Sequence, residues 1–82
     1  MTIPKDISGN DLIISLKKIG YEITRQKGSY IRLSCKLDNT THHITIPNHN
    51  PIKIGTLNNI LKDIAETHKK SKKEIISLLF NK

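Results

Sequence analysis

With 82 residues the chain makes one domain around a single small core, which leaves no room for a second catalytic domain and puts any active site at the surface. The formal net charge of +7 and a pI of about 9.8 favour a polyanionic partner, nucleic acid or an anionic membrane; no long apolar run and no secretory signal precede the first helix, so a soluble, cytoplasmic protein is expected. A lone cysteine, Cys35, excludes an internal disulfide, and one Phe with two Tyr are too few for a base-stacking platform, so RNA contact is expected through phosphates and 2′-hydroxyls.

Residues 1–7 read as a short extended lead-in, with Pro4 opposing helix. Ser8 can cap a helix that Asp11 answers from three residues on, and Ile7 and Leu12 take the staple positions. Leu12, Ile13, Leu16 and Ile19 form one apolar stripe, Lys17 and Lys18 face water, and Gly20 supplies the stop, so the spacing predicts a helix over residues 9–19.

From Tyr21 the period changes to two, with Tyr21, Ile23 and Arg25 on one side and Glu22, Thr24 and Gln26 on the other. Gly28 takes positive φ without steric cost, so the stretch from Arg25 to Arg32 reads as a hairpin whose bend is crowded by Arg25, Lys27 and Arg32. In the second strand Ile31, Leu33 and Cys35 point one way, and Tyr30, Arg32 and Ser34 the other. If Ile23 and Leu33 share the buried face, parity requires a three-residue loop, Lys27-Gly28-Ser29, that pairs Gln26 with Tyr30.

Asp38-Asn39 marks a second turn, followed by a strand from Thr41 to Ile46 that Pro47 ends. Adjacent His42 and His43 project to opposite faces and cannot jointly grip a metal ion: His42 falls opposite Cys35 on the buried side, His43 opposite Ser34 on the open side. A zinc site from Cys35, His42 and a third ligand lacks the usual ligand spacing, so neither a metal nor another cofactor is expected. After the loop from Asn48 to Ile54, Gly55-Thr56 offers a helix start. Leu57, Ile60, Leu61, Ile64 and Ala65 then predict a second helix over residues 56–67. Lys69-Lys70-Ser71-Lys72-Lys73 reads as a solvated junction, and a second Ser–Glu capping box, Ser71 with Glu74, opens a third helix over residues 72–80 with Ile75, Ile76, Leu79 and Phe80 on its apolar side.

The expected fold is α+β: one domain over residues 1–82, core about 8–67, in the order α-β-β-β-α with a three-stranded antiparallel sheet, helices on one face, and a short C-terminal helix at about 72–80. The opposite face is left open, presenting Thr24, Gln26, Tyr30, Arg32, Ser34, His43 and Thr45. A solvated surface and a surface for RNA or protein both fit that composition.

Several of these residues together resemble the HicA family, the small toxins of bacterial and archaeal toxin–antitoxin pairs. The similarity lies in Ser8-Gly9, in Arg25-Gln26-Lys27-Gly28-Ser29, in the strand end Ile44-Thr45-Ile46-Pro47-Asn48-His49, and in Gly55-Thr56-Leu57 with Ile60-Leu61, in order from about residue 8 to 64. The resemblance implies a fold like that of double-stranded RNA-binding domains, metal-independent cleavage of mRNA that blocks translation, and neutralisation by a HicB antitoxin that covers the active site. It also implies that the residue directly after Gly28-Ser29 is the family's catalytic histidine. Here that residue is Tyr30. Attack by a ribose 2′-hydroxyl needs a proton acceptor of near-neutral pKa, a role that histidine suits and tyrosine, ordinarily at about 10, does not. This copy is therefore expected to be inactive or attenuated, whether Tyr30 is native or a disarming change.

His43 lies about four strand residues from Tyr30, roughly 13 Å, too far to replace the missing base at that point. His49 lies beside the start of the second strand and either substitutes for the base or simply caps its loop. Arg25, Lys27, Gly28, Ser29, Arg32, Lys53 and Thr56 are the candidate RNA-binding residues: the cations to hold phosphate or stabilise the transition state, and the start of the second helix as an anion site. Arg32 is the strongest of these because it shares the open face with Tyr30. Two rival readings are a non-catalytic double-stranded RNA-binding module and a domain that meets only a protein partner.

Overall fold

The computed structural model describes residues 6–80, so most of the expected lead-in lies outside the described residues. The order is α1 (Gly9–Lys17), β1 (Glu22–Lys27), β2 (Tyr30–Lys36), β3 (Thr41–Pro47), α2 (Ile54–Thr67) and α3 (Lys72–Phe80). The strands form one antiparallel sheet in the order β1-β2-β3. Ile31, Leu33 and Cys35 of β2 and Ile44 and Ile46 of β3 turn to one side, where they meet Leu12 and Leu16 of α1, Leu57, Leu61 and Ile64 of α2, and Ile75 and Leu79 of α3. All three helices contribute to the core on that side, and the other face of the sheet stays open, an α+β architecture as expected.

Local chemistry explains the element starts. Ser8 Oγ accepts the Asp11 amide at 3.0 Å while the Asp11 carboxylate accepts the Ser8 amide, a reciprocal pair that satisfies two of the helix's free donors. Ser71 and Glu74 repeat the device at α3, with the Glu74 amide donating to Ser71 Oγ at 3.1 Å. The buried side of α3 places Ile75 and Leu79 in the core. Gly9 is required by close approach: an added Cβ would stand 2.6 Å from Pro47 O and 2.8 Å from Asn48 Cα, where the Gly9 amide donates to His49 O at 2.8 Å.

The first hairpin departs from expectation. Its turn has two residues, Gly28-Ser29, and Lys27 pairs with Tyr30, Gln26 with Ile31 and Arg25 with Arg32. Gly28 at φ +59 takes the left-handed position that such a tight turn demands. Ile23 still pairs with Leu33, because a β-bulge between Ile23 and Arg25 absorbs the one-residue difference in parity. Two corrections follow from the shared face of paired residues: Gln26 joins Ile31 on the helix side, and Arg25 and Lys27 move to the open face. Ile23 is exposed at 45 % because β1 is an edge strand that packs mainly on β2.

The helix limits shift slightly. α1 ends at Lys17 rather than Ile19, closed by backbone bonds from Lys18, Ile19 and Gly20. α2 begins at Ile54, two residues before the expected start, so Gly55 and Thr56 lie inside its first turn and Lys53 caps it without a side-chain bond.

Candidate nucleic-acid interface

The bulge assembles the open face. One residue too many in β1 rotates Arg25 and Lys27 onto the side that already holds Tyr30, Arg32, Ser34 and Lys36 of β2 and Thr41, His43 and Thr45 of β3. Arg25 stands directly opposite Arg32, a like-charge pair that repels unless an anion lies between or above it. Among the described residues neither arginine forms an ion pair. A broad cleft of about 1000 Å³ takes in Thr24, Arg25, Arg32, Ser34, Lys36 and His43 on this face and also reaches Ile19, Gly20, Cys35 and His68 toward the helix side.

Tyr30 stands at the first position of β2, on this face and 55 % exposed, beside the Gly28-Ser29 turn. Its hydroxyl has no hydrogen-bond partner among the described residues. The β3–α2 connection passes the same end of the sheet, because Tyr30 pairs with Pro47 and the Asn48 amide donates to Ser29 O at 2.6 Å. His49 is exposed, and its backbone rather than its ring secures the loop, donating to Pro47 O and accepting from Gly9. Lys53 is exposed at the α2 N-terminus. Thr56 lies away from Tyr30, in a shallow groove with His43 and Thr45. Thus Arg25, Lys27, Tyr30 and Arg32 share one surface, Gly28 and Ser29 form its turn, His49 and Lys53 border it on a loop, and Thr56 stands apart.

A second polar cluster lies on the helix side. The buried Tyr21 hydroxyl meets His42 Nδ1 at 2.7 Å and His68 Nε2 at 3.0 Å, and His42 Nε2 meets Asp63 Oδ2 at 3.2 Å. Since the Asp63 carboxylate only accepts, His42 donates from Nε2; with the His42 ring neutral, Tyr21 donates to His42 Nδ1 and accepts from His68 Nε2. Burial, then the neighbouring Cys35 and Asp63, push the Tyr21 phenol well above its ordinary value. Burial, then His42 and Lys70, lower His68. This cluster ties the end of α2 to the sheet. It was legible only in part: His68 falls four residues after Ile64 on the apolar face of α2, but nothing local joins it to Tyr21. Among the described residues no group of three or more metal-ligating side chains comes together, and no helix is long and apolar enough to cross a membrane.

Residues 9–65, which include the whole sheet and most of α2, match the model of a family described as HicA toxin of bacterial toxin–antitoxin. No curated protein and no solved structure matches the chain.

Proposed function

Since the chain belongs to the HicA toxin family of bacterial toxin–antitoxin systems, we propose that it is a cytoplasmic mRNA endoribonuclease scaffold, attenuated or silent at the family's histidine position because Tyr30 stands there. The observation that carries this reading is the placement of Arg25, Lys27 and Arg32 around Tyr30 on one uncovered face. Two guanidinium groups and an ammonium supply the fixed positive charge that a phosphodiester needs as negative charge builds on its oxygens. In such a reaction a 2′-hydroxyl attacks the adjacent phosphorus, which requires no metal, and the missing element at Tyr30 is a group to accept the proton. A protein antitoxin of the HicB type would neutralise the toxin by covering the same basic face.

The test is cleavage of a labelled mRNA in EDTA by this chain and by Tyr30→His in parallel. The histidine form is expected to cut faster by about 10²–10⁴. Binding of RNA by both forms with cleavage by neither would replace the nuclease reading by that of a double-stranded RNA-binding module, and an absence of RNA binding would leave a domain for a protein partner.

A further inference from the structure

A second set of chemical groups on the open face lies away from the Tyr30 end. His43 Nδ1 meets Ser34 Oγ at 2.5 Å, Ser34 Oγ meets Thr24 Oγ1 at 3.1 Å, and Thr24 Oγ1 donates to the Arg32 carbonyl oxygen at 3.4 Å. The direction of this chain is set at its end, because a carbonyl can only accept. Each hydroxyl has one proton, so all three contacts are satisfied together in one way: Thr24 donates to the carbonyl, Ser34 to Thr24, and His43 Nδ1–H to Ser34. That tautomer leaves Nε2 of an exposed imidazole with a free lone pair. Thr24 sits at the bulge, and the register after it brings Arg25 opposite Arg32. Arg32 pairs with Thr45, two residues from His43, which places the arginine and the imidazole one cross-strand diagonal apart, roughly 7–8 Å. A phosphodiester with its ribose spans that interval, and Thr24, Arg25, Arg32, Ser34 and His43 form the open-face part of the larger cleft that would receive it.

We infer that His43 is the general base of a centre independent of Tyr30, acting on an RNA phosphodiester held by Arg25 and Arg32, with Ser34 and Thr24 as positioning residues; the inference rests on the nuclease reading above. His43 Nε2 takes the proton of the 2′-hydroxyl as the O2′–P bond forms and the P–O5′ bond breaks. Water protonates the departing O5′, the imidazolium returns its proton to solvent, and the products are a 2′,3′-cyclic phosphate and a 5′-hydroxyl end. The chain is on this account slow rather than silent.

The experiment compares the unaltered chain, His43→Gln, Thr24→Val and Tyr30→His on one end-labelled RNA in EDTA, with circular dichroism and RNA binding as folding controls and ¹⁵N chemical shifts reporting the His43 tautomer. Slow cleavage by the unaltered chain, a loss of about 10²-fold or more in His43→Gln, and an Nδ1–H tautomer that Thr24→Val shifts toward Nε2–H are the expected results. Cleavage that survives His43→Gln, or an Nε2–H tautomer in the unaltered chain, overturns the role of His43 and leaves the nuclease reading standing. So does cleavage by Tyr30→His with none by the unaltered chain. If no form cuts, the nuclease reading itself fails and the inference falls with it.

Discussion

If RNA lies across the open face, its affinity must carry the signature of the four cations that the register places there: Arg25, Lys27, Arg32 and Lys36. Each neutralised phosphate releases condensed counterions, so four contacts give a slope of log affinity against log salt of about −3.6 on duplex RNA and about −2.8 on a single strand, taking the DNA coefficients. Between 50 and 200 mM salt the affinity should therefore fall by roughly 150-fold or 50-fold respectively. Replacing Arg25 and Arg32 together by alanine removes half the cations and should halve the slope, to about −1.8 or −1.4. Fluorescence anisotropy of a labelled RNA across a salt series measures this directly, with Lys17→Ala on α1 as the control because that exposed lysine sits on the helix side. An unchanged slope in the double arginine variant, or an equal reduction in Lys17→Ala, would refute the placement of the RNA backbone on this face.

Three further outcomes follow from the geometry. Tyr21→Phe keeps the ring and so opens little cavity, but it takes the hydroxyl from His42 and His68; a loss of about 1–3 kcal/mol is expected in urea unfolding, and a change below about 0.5 would mean that the hydroxyl bonds contribute nothing net. Gly9→Ala drives a Cβ into backbone at Pro47 and Asn48, so destabilisation of about 1–3 kcal/mol should outweigh any gain in helix propensity, and a raised melting temperature would contradict it. His68 is held below its ordinary value of about 6.5 by burial, with His42 and Lys70 adding to the effect. The unfolded chain then binds the proton more readily. Stability is fully present above that value and is lost as pH falls toward the folded pKa, a dependence that His68→Gln should flatten when urea midpoints are compared at acidic and neutral pH.

The helices, and the starts of α1 and α3, were written locally, whereas α2 begins at Ile54 with no side-chain cap to mark it. Ser8 with Asp11 and Ser71 with Glu74 hold their own helix ends with side chains three residues apart, and α3 covers residues 72–80 as its apolar spacing requires. The pairing of β2 with β3 was equally readable, because the buried runs Ile31-Leu33-Cys35 and Ile44-Ile46 admit one register that keeps both in the core. The position of Tyr30 on the open face at the head of β2 came from the same parity. β1 was different: every residue from Glu22 to Lys27 is exposed, so burial exerted no pull on its register. Its phase was decided by hydrogen bonding to β2 and by the two-residue turn at Gly28-Ser29, and the mismatch was taken up in the bulge. That single residue moved Arg25 and Lys27 onto the face with Arg32, which a strict alternation does not predict, whereas Thr24, Ser34 and His43 share the open face as the alternation requires and only their hydrogen bonds came from the tertiary structure. The contact of Tyr21 with His42 and His68 likewise spans 21 and 47 residues. Short-range pattern determined the elements and the buried face of the sheet. The assembly of charge and imidazole on the exposed face depended on cross-strand pairing, which exists only once the strands have met.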